Sequence, residues 1–171
     1  MRFIILSFFA VSVQAQIHYR PVSLPDTATL HLTDIHYPVD GVLVSGHGYR
    51  NGRIHHGLDI SHNNRDTVYS SWLGRVRYAK KGYNGGYGYL VIVTHLNGLE
   101  TYYAHLRELL VTEGEWIRQG YAVGIVGSTG NSLGPHLHYE IRYQGLSIDP
   151  DDVIGRDCIQ LYRKNNIFKV R

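Results

Sequence analysis

Cysteine is nearly absent: Cys158 is the one thiol in 171 residues, so no intramolecular disulfide can brace the chain. Charge is sparse too. Charged residues make up 18% of the sequence, and 17 basic side chains face 14 acidic ones, a net +3. That surplus suits an anionic surface only weakly. The single basic cluster, YRKNNIFKVR at the C-terminal end, reads as solvated charge, and nucleic acid is not an expected partner. Amphipathic runs of helical period are missing, which excludes substantial helices; LRELL at 106–110 allows one helical turn at most. The glycines of KGYNGGYGY (Gly82, Gly85, Gly86, Gly88) lead into neither a helix start nor a Lys-Ser/Thr pair. That excludes a phosphate loop and leaves a tight connection.

What is present begins with a leader. MRFIILSFFAVSVQA has Arg2, a short apolar core over 3–11 and the small-residue ending Val13-Gln14-Ala15. These are the parts of a secretory signal peptide spanning 1–15. The apolar core is too short to cross ~30 Å of hydrocarbon, so no transmembrane segment is expected after cleavage. No cysteine follows it to take a lipid. The expectation is export, to the periplasm or to the extracellular space and cell wall. An exported chain without disulfides rests on core packing, with or without a metal ion, and Cys158 is expected as a small buried apolar residue.

Residues 16–37 are mixed and carry Pro21 and Pro25, an extended N-terminal lead. Beyond them short runs rich in β-branched and aromatic residues follow one another: TVYSSW, GRVRYAK, YLVIVTHL, LETYYAHL, YAVGIVG and HLHYEIRY. Glycine and asparagine turns separate them, and Asn97-Gly98 signals a two-residue hairpin. The expected fold is all-β, an antiparallel β-sandwich or partly open barrel.

Chemistry concentrates in GPHLHYE, 134–140. On a strand His136 and His138 share one face, while Leu137 and Tyr139 point into the core. One imidazole can bind a metal and the other can reach what the metal holds. A catalytic zinc takes three protein ligands and keeps one position open, so further ligands must come from elsewhere. RIHHGLDIS offers His55 and Asp59. On a fully extended strand these would stand ~13 Å apart; Gly57 permits a bend that joins them and turns His56 away. In TYYAHL, alternation places Thr101, Tyr103 and His105 on one face, where His105 can sit beside the same cleft.

The ordered set PVDGVLVSGHGYR, HHGLDI, NGGYGYLVIVTH, TYYAHL, GEWIRQGYAVGIVGSTGNSLGPHLHYEIR and IDP resembles the lysostaphin-type (LytM-like) zinc metallopeptidases over about residues 38–150. The resemblance implies a mostly antiparallel β-domain with a groove across the sheet, one Zn2+, and cleavage of bacterial peptidoglycan peptides. It assigns His55, Asp59 and His138 as metal ligands. It assigns His105 and His136 as the catalytic histidines that assist deprotonation of the attacking water and stabilise the tetrahedral intermediate. The domain then runs over 38–155, with a C-terminal tail at 156–171. Two departures bear on loop shape: SHNNRDTV lacks the prolines that usually follow HxGxDI, and Gly120-Tyr121 stands where Gly-Gln is common.

Tyr49 and Tyr103 are candidates to line the groove, and Arg53 to meet a substrate carboxylate. Trp72 and Trp116 are expected to anchor core or loops. The leading reading is a monomeric exported endopeptidase acting on stem or cross-bridge peptides of peptidoglycan. The alternatives are a non-catalytic relative that binds or regulates other wall hydrolases, and a secreted peptidase of other proteins.

Overall fold

A computed structural model describes residues 27–32, 35–50, 52–61, 66–164 and 167–170; the expected signal peptide and residues 16–26 of the lead lie outside them. The described strands are β1 (Thr27–His31), β2 (Val42–Ser45), β3 (Gly48–Arg50), β4 (Arg53–His55), β5 (Leu58–Ser61), β6 (Thr67–Tyr69), β7 (Gly74–Lys80) and β8 (Tyr89–His95). They continue with β9 (Leu99–Leu106), β10 (Glu108–Leu109), β11 (Trp116–Ile117), β12 (Ala122–Ile125), β13 (His136–Tyr143), β14 (Leu146–Ile148), β15 (Cys158–Lys164) and β16 (Ile167–Val170). The helical content among the described residues is two 3-10 turns, at Asn84–Gly86 and Pro150–Asp152. None of these residues forms a helix long and apolar enough to cross a membrane.

The central sheet runs β11-β7-β8-β9-β13-β5-β2, antiparallel throughout, with β14 paired to the far half of β13. One face is the core. Val76, Val91, Val93, Tyr103, Leu137, Tyr139, Leu58 and Ile60 are buried there against Val68 and Val123 of the small sheet β10-β12-β6. Alternation sends Leu90, Ile92, Tyr102 and Ala104 to the other face, where they form a second apolar cluster with Tyr78 and Tyr87. The groove lies on that second face, and the architecture is all-β without a closed barrel.

Several local expectations give way to tertiary context. The hairpin between β8 and β9 uses three residues, 96–98, with Gly98 at φ 83° and its N–H donating to the His95 carbonyl. A left-handed glycine closing a three-residue loop lets the pairing resume after one bulged residue. LRELL is extended rather than helical, because Glu108 and Leu109 pair with Ile125 and Gly124 of β12 while Leu106 is fully buried. Strand alternation on β15 buries Ile159 and Leu161 and turns Cys158 outward, so the thiol is exposed. Trp72 is a core residue as expected, whereas Trp116 is 60% exposed on the edge strand β11. The lead and the tail also meet: β1 pairs with β15, and β15 with β16, in a three-stranded sheet.

Candidate metal centre

β5 and β13 are neighbours in a register that sets Asp59 directly opposite His138. The pair needs no loop to bring it together. His55 arrives from the β3–β4 hairpin and turns back over Gly57. Gly57 is required by contact: a Cβ there would stand 2.1 Å from the Tyr139 carbonyl oxygen. The bend places His55 Nε2 3.1 Å from Asp59 Oδ1 and 3.1 Å from His138 Nδ1, and His138 Nδ1 lies 2.7 Å from Asp59 Oδ1. One donor atom from each of the three falls within 4.8 Å of the others. His56 turns away and bonds Ser147 Oγ at 3.0 Å, an oxygen that His47 also meets at 3.1 Å.

The outward nitrogens fix which atoms face inward. His55 Nδ1–H donates to the Gly46 carbonyl at 2.7 Å, leaving Nε2 as a lone pair. His138 Nε2–H donates to Glu140 Oε1 at 2.8 Å, leaving Nδ1. Two imidazole lone pairs and a carboxylate oxygen thus converge with no proton among them, a donor set that suits a divalent cation such as Zn2+. Without a cation the cluster takes up a proton instead. Burial works to lower the His138 pKa, but hydrogen bonds to Asp59 and Glu140, with their charges, raise it to about 9. Burial alone would raise Asp59; His138 and His55 outweigh it and hold the carboxyl well below the usual range. Arg50 occupies the other Asp59 oxygen, Oδ2, at 3.3 Å and also donates to Ser45 Oγ.

Glu140 is the buried support of this arrangement. Besides His138 it accepts from Arg142 Nε at 2.5 Å and from Tyr87 Oη at 2.9 Å. Burial would raise its pKa; His138 and Arg142 bring it down to about 2, so it is an anion at neutral pH. A carboxylate on the outer N–H of a ligating histidine fixes tautomer and ring orientation.

His105 and His136 stand beside the three donors, their rings 4.7 Å apart between centroids. His136 Nε2 is 3.7 Å from Asp59 Oδ1. Both imidazoles give Nδ1–H to backbone, His105 to Thr129 O and His136 to Gly134 O, each at 2.8 Å. Nε2 is therefore the free nitrogen on each. Burial, partly opposed by the Thr129 carbonyl, lowers the His105 pKa to about 4. His105 reaches this face through a bulge: two steps on β8, Tyr89 to Val91, span three on β9, Leu106 to Tyr103, and His105 adopts φ 60°. The extra residue breaks the alternation. It puts Ala104 and His105 on the groove face, while Tyr103 is fully buried in the core, its Oη bonded to the Ser71 N–H at 2.9 Å. Tyr103 as a groove residue is therefore corrected.

The cleft measures about 850 Å3, and Arg50, Tyr87 and Glu140 line it with the five His and Asp residues. Tyr49 and Arg53 do not: Tyr49 is 79% exposed, and Arg53 sits across the hairpin from Arg50, which is the arginine that reaches the cluster. Sequence reasoning missed Glu140, Arg50, Tyr87 and Arg142. For Glu140 and Arg142 a signal existed, since alternation from His136 and His138 continues to 140 and 142; Arg50 is identified by its contact with Asp59 Oδ2, which the sequence does not announce.

A groove across an antiparallel sheet, with converging His, Asp and His donors and two further imidazoles, defines the lysostaphin-type class of domains. Sequence comparison agrees: residues 53–150 match the profile of peptidase family M23, and the chain belongs to that family. It is 45% identical over 101 residues to the DD-carboxypeptidase/endopeptidase Mpg of Neisseria meningitidis, covering 59% of this chain and 23% of Mpg. It is 35% identical over 114 residues to the murein hydrolase activator NlpD of Salmonella typhimurium, covering 67% of this chain and 29% of NlpD. The matched region thus spans about a quarter of these curated relatives. Among solved structures, the catalytic domain of lysostaphin from Staphylococcus simulans aligns with TM-score 0.60 and 28% identity, over 64% of this chain and 88% of that one. A zinc-containing peptidase from Vibrio cholerae aligns with TM-score 0.63 and 29% identity, over 70% and 39%.

Proposed function

We propose that the protein is an exported zinc endopeptidase hydrolysing stem or cross-bridge peptides of bacterial peptidoglycan, with residues 38–155 as the working unit, acting as a monomer. The observation that carries this reading is the convergence of His55 Nε2, Asp59 Oδ1 and His138 Nδ1 beside two imidazoles that each keep Nε2 free. His55, Asp59 and His138 would hold a zinc ion, which would supply Lewis acidity toward the scissile carbonyl and the attacking water. Arg50 keeps Asp59 Oδ2 occupied so that Oδ1 faces inward. His105 and His136 do the proton work. One Nε2 accepts the proton of the attacking water and returns it to the leaving amine, and the other, carrying a proton taken from solvent before the attack, donates to the oxyanion. The two rings are close enough to act on one tetrahedral centre. Similarity to Mpg supports a peptidoglycan peptide as substrate, and the zinc-containing relative supports the choice of ion.

Similarity to NlpD favours a second reading, a domain that activates another wall hydrolase. The filled five-residue set argues for catalysis in this chain. Purified sacculi incubated with zinc-loaded protein separate the two. Catalysis releases cross-link-cleaved fragments, identified by mass, and chelator abolishes the release. The activator reading predicts fragments only when a wall hydrolase is added, with or without zinc.

A further inference from the structure

The groove face continues beyond the metal centre. Register carries one row of side chains straight across it: Arg142 faces Glu100, Glu100 faces Thr94, Thr94 faces Arg75, and Arg75 faces Trp116. At the far end is a second cavity of about 470 Å3, lined by Trp116, Arg75, Arg77, Thr94, Leu96 and Gly114. β11 is four strands from β13. At ~4.8 Å between strands the cavity lies ~19 Å to the side of the strand that carries His138.

Its groups are not used by the fold in the way the rest of the face is. Trp116 is 60% exposed and Leu96 74%, an unusual opening of two large apolar side chains at one place. Arg77 is paired: its Nε and Nη2 donate to Glu100 at 2.5 and 3.1 Å, and Nη2 also to Tyr102 Oη at 3.3 Å. Arg75 uses Nε alone, on the Gly114 carbonyl at 3.0 Å, and its two terminal nitrogens have no partner among the described residues. That bond fixes the direction of the guanidinium while leaving its fork open. A flat indole offers an apolar platform for the C–H face of a pyranose ring, and an open guanidinium fork accepts a carboxylate or carbonyl oxygen with defined geometry.

We propose that this cavity is a second substrate subsite, for the glycan strand of peptidoglycan, with an amino-sugar ring stacked on Trp116 and an acidic or carbonyl oxygen of the same strand on Arg75. The proposal rests on the peptidoglycan reading above. The geometry suits a branched polymer: an extended peptide of about six residues at ~3.3 Å each spans the distance from Trp116 to the cleft. A sugar held at β11 thus presents its peptide to His138 along the face, over Tyr102 and Ile92. Arg75 has no counter-ion among the described residues, which leaves its fork for an oxygen of such a strand.

The test uses zinc-loaded protein and three soluble probes: tetra-N-acetylchitotetraose, a disaccharide-peptide released from sacculi, and the same peptide without sugar. Trp72 is buried and Trp116 exposed, so a change of tryptophan emission on binding reports the cavity. Both sugar-containing probes should shift the emission, and the disaccharide-peptide should bind at least tenfold tighter than the free peptide by calorimetry. Arg75→Gln and Trp116→Ala should each erase that advantage, raising KM for the disaccharide-peptide about tenfold while leaving kcat/KM for the free peptide unchanged. Equal binding of the two peptides, or equal losses on both substrates in Arg75→Gln, overturns the subsite. If neither peptide is cleaved while the sugar probes still bind at Trp116, it is the catalytic reading that fails and the subsite that stands.

Discussion

Glu140→Gln removes one charge from the centre of the buried network while keeping the side chain's shape. Glu140 has no solvent exposure, and both its oxygens are committed: Oε1 to His138 and Tyr87, Oε2 to Arg142. A glutamine offers one oxygen and one NH2, so on one side a donor meets a donor. Breaking a buried ion pair typically costs ~3–5 kcal/mol. Arg142 keeps bonds to Tyr87 Oη at 2.8 Å and to the Gly145 carbonyl at 3.2 Å, which places the expected loss near the low end, about 3 kcal/mol. His138 also loses the anion that holds Nδ1 inward, and zinc affinity should fall ~10–100-fold. Competition against a chromophoric chelator measures the affinity, and urea unfolding of the metal-free protein measures the stability. A folded Glu140→Gln protein that binds zinc within twofold of the native chain would refute the orienting role, and an unchanged unfolding free energy would refute the buried pair.

His95 is buried between Trp72 and Thr101, and burial lowers its pKa to about 4. It is neutral when folded, while the unfolded chain takes a proton near pH 6.5, so its contribution is complete above about 6.5 and is lost as pH falls toward 4. The loss reaches about 3 kcal/mol at most. Urea unfolding between pH 4 and 7 should show His95→Gln with a pH slope smaller by one proton; an unchanged slope counts against it. Gly57→Ala drives a methyl into the Tyr139 carbonyl, so it should displace His55, weaken zinc binding at least tenfold and destabilise the fold by about 2 kcal/mol or more. Native zinc affinity in that variant would show that the bend does not depend on glycine.

How much of this was legible in the sequence follows from what each feature depends on. Strand alternation depends on local pattern alone, and β7, β9 and β13 fall where GRVRYAK, LETYYAHL and HLHYEIRY placed them. The shared face of His136 and His138, with Leu137 and Tyr139 in the core, has the same origin. Tyr103 escaped because one extra residue in β9 reverses the parity of everything beyond it, and nothing in TYYAHL announces a left-handed histidine. Arg50 and Arg53 are cross-strand partners, and the Arg50 side chain is the one that reaches Asp59 and Ser45, a side-chain course that no local pattern announces. Cys158 and Trp116 differ from expectation because β15, the middle strand of its sheet, and β11, an edge strand, each bury one face only, and composition does not say which residues of a strand face the core.

Zinc content and cleavage rate, measured together on His136→Ala and His138→Ala, test the central claim most directly. The two residues are two apart on one strand and face one cleft, yet His138 alone has an outer carboxylate partner and a lone pair aimed at Asp59 and His55. The expected result is that His136→Ala keeps one zinc per chain and loses ~10²–10⁴-fold in rate, whereas His138→Ala loses the metal and the activity together. A His136→Ala protein that cannot hold zinc, beside a His138→Ala protein that does, would contradict the assignment.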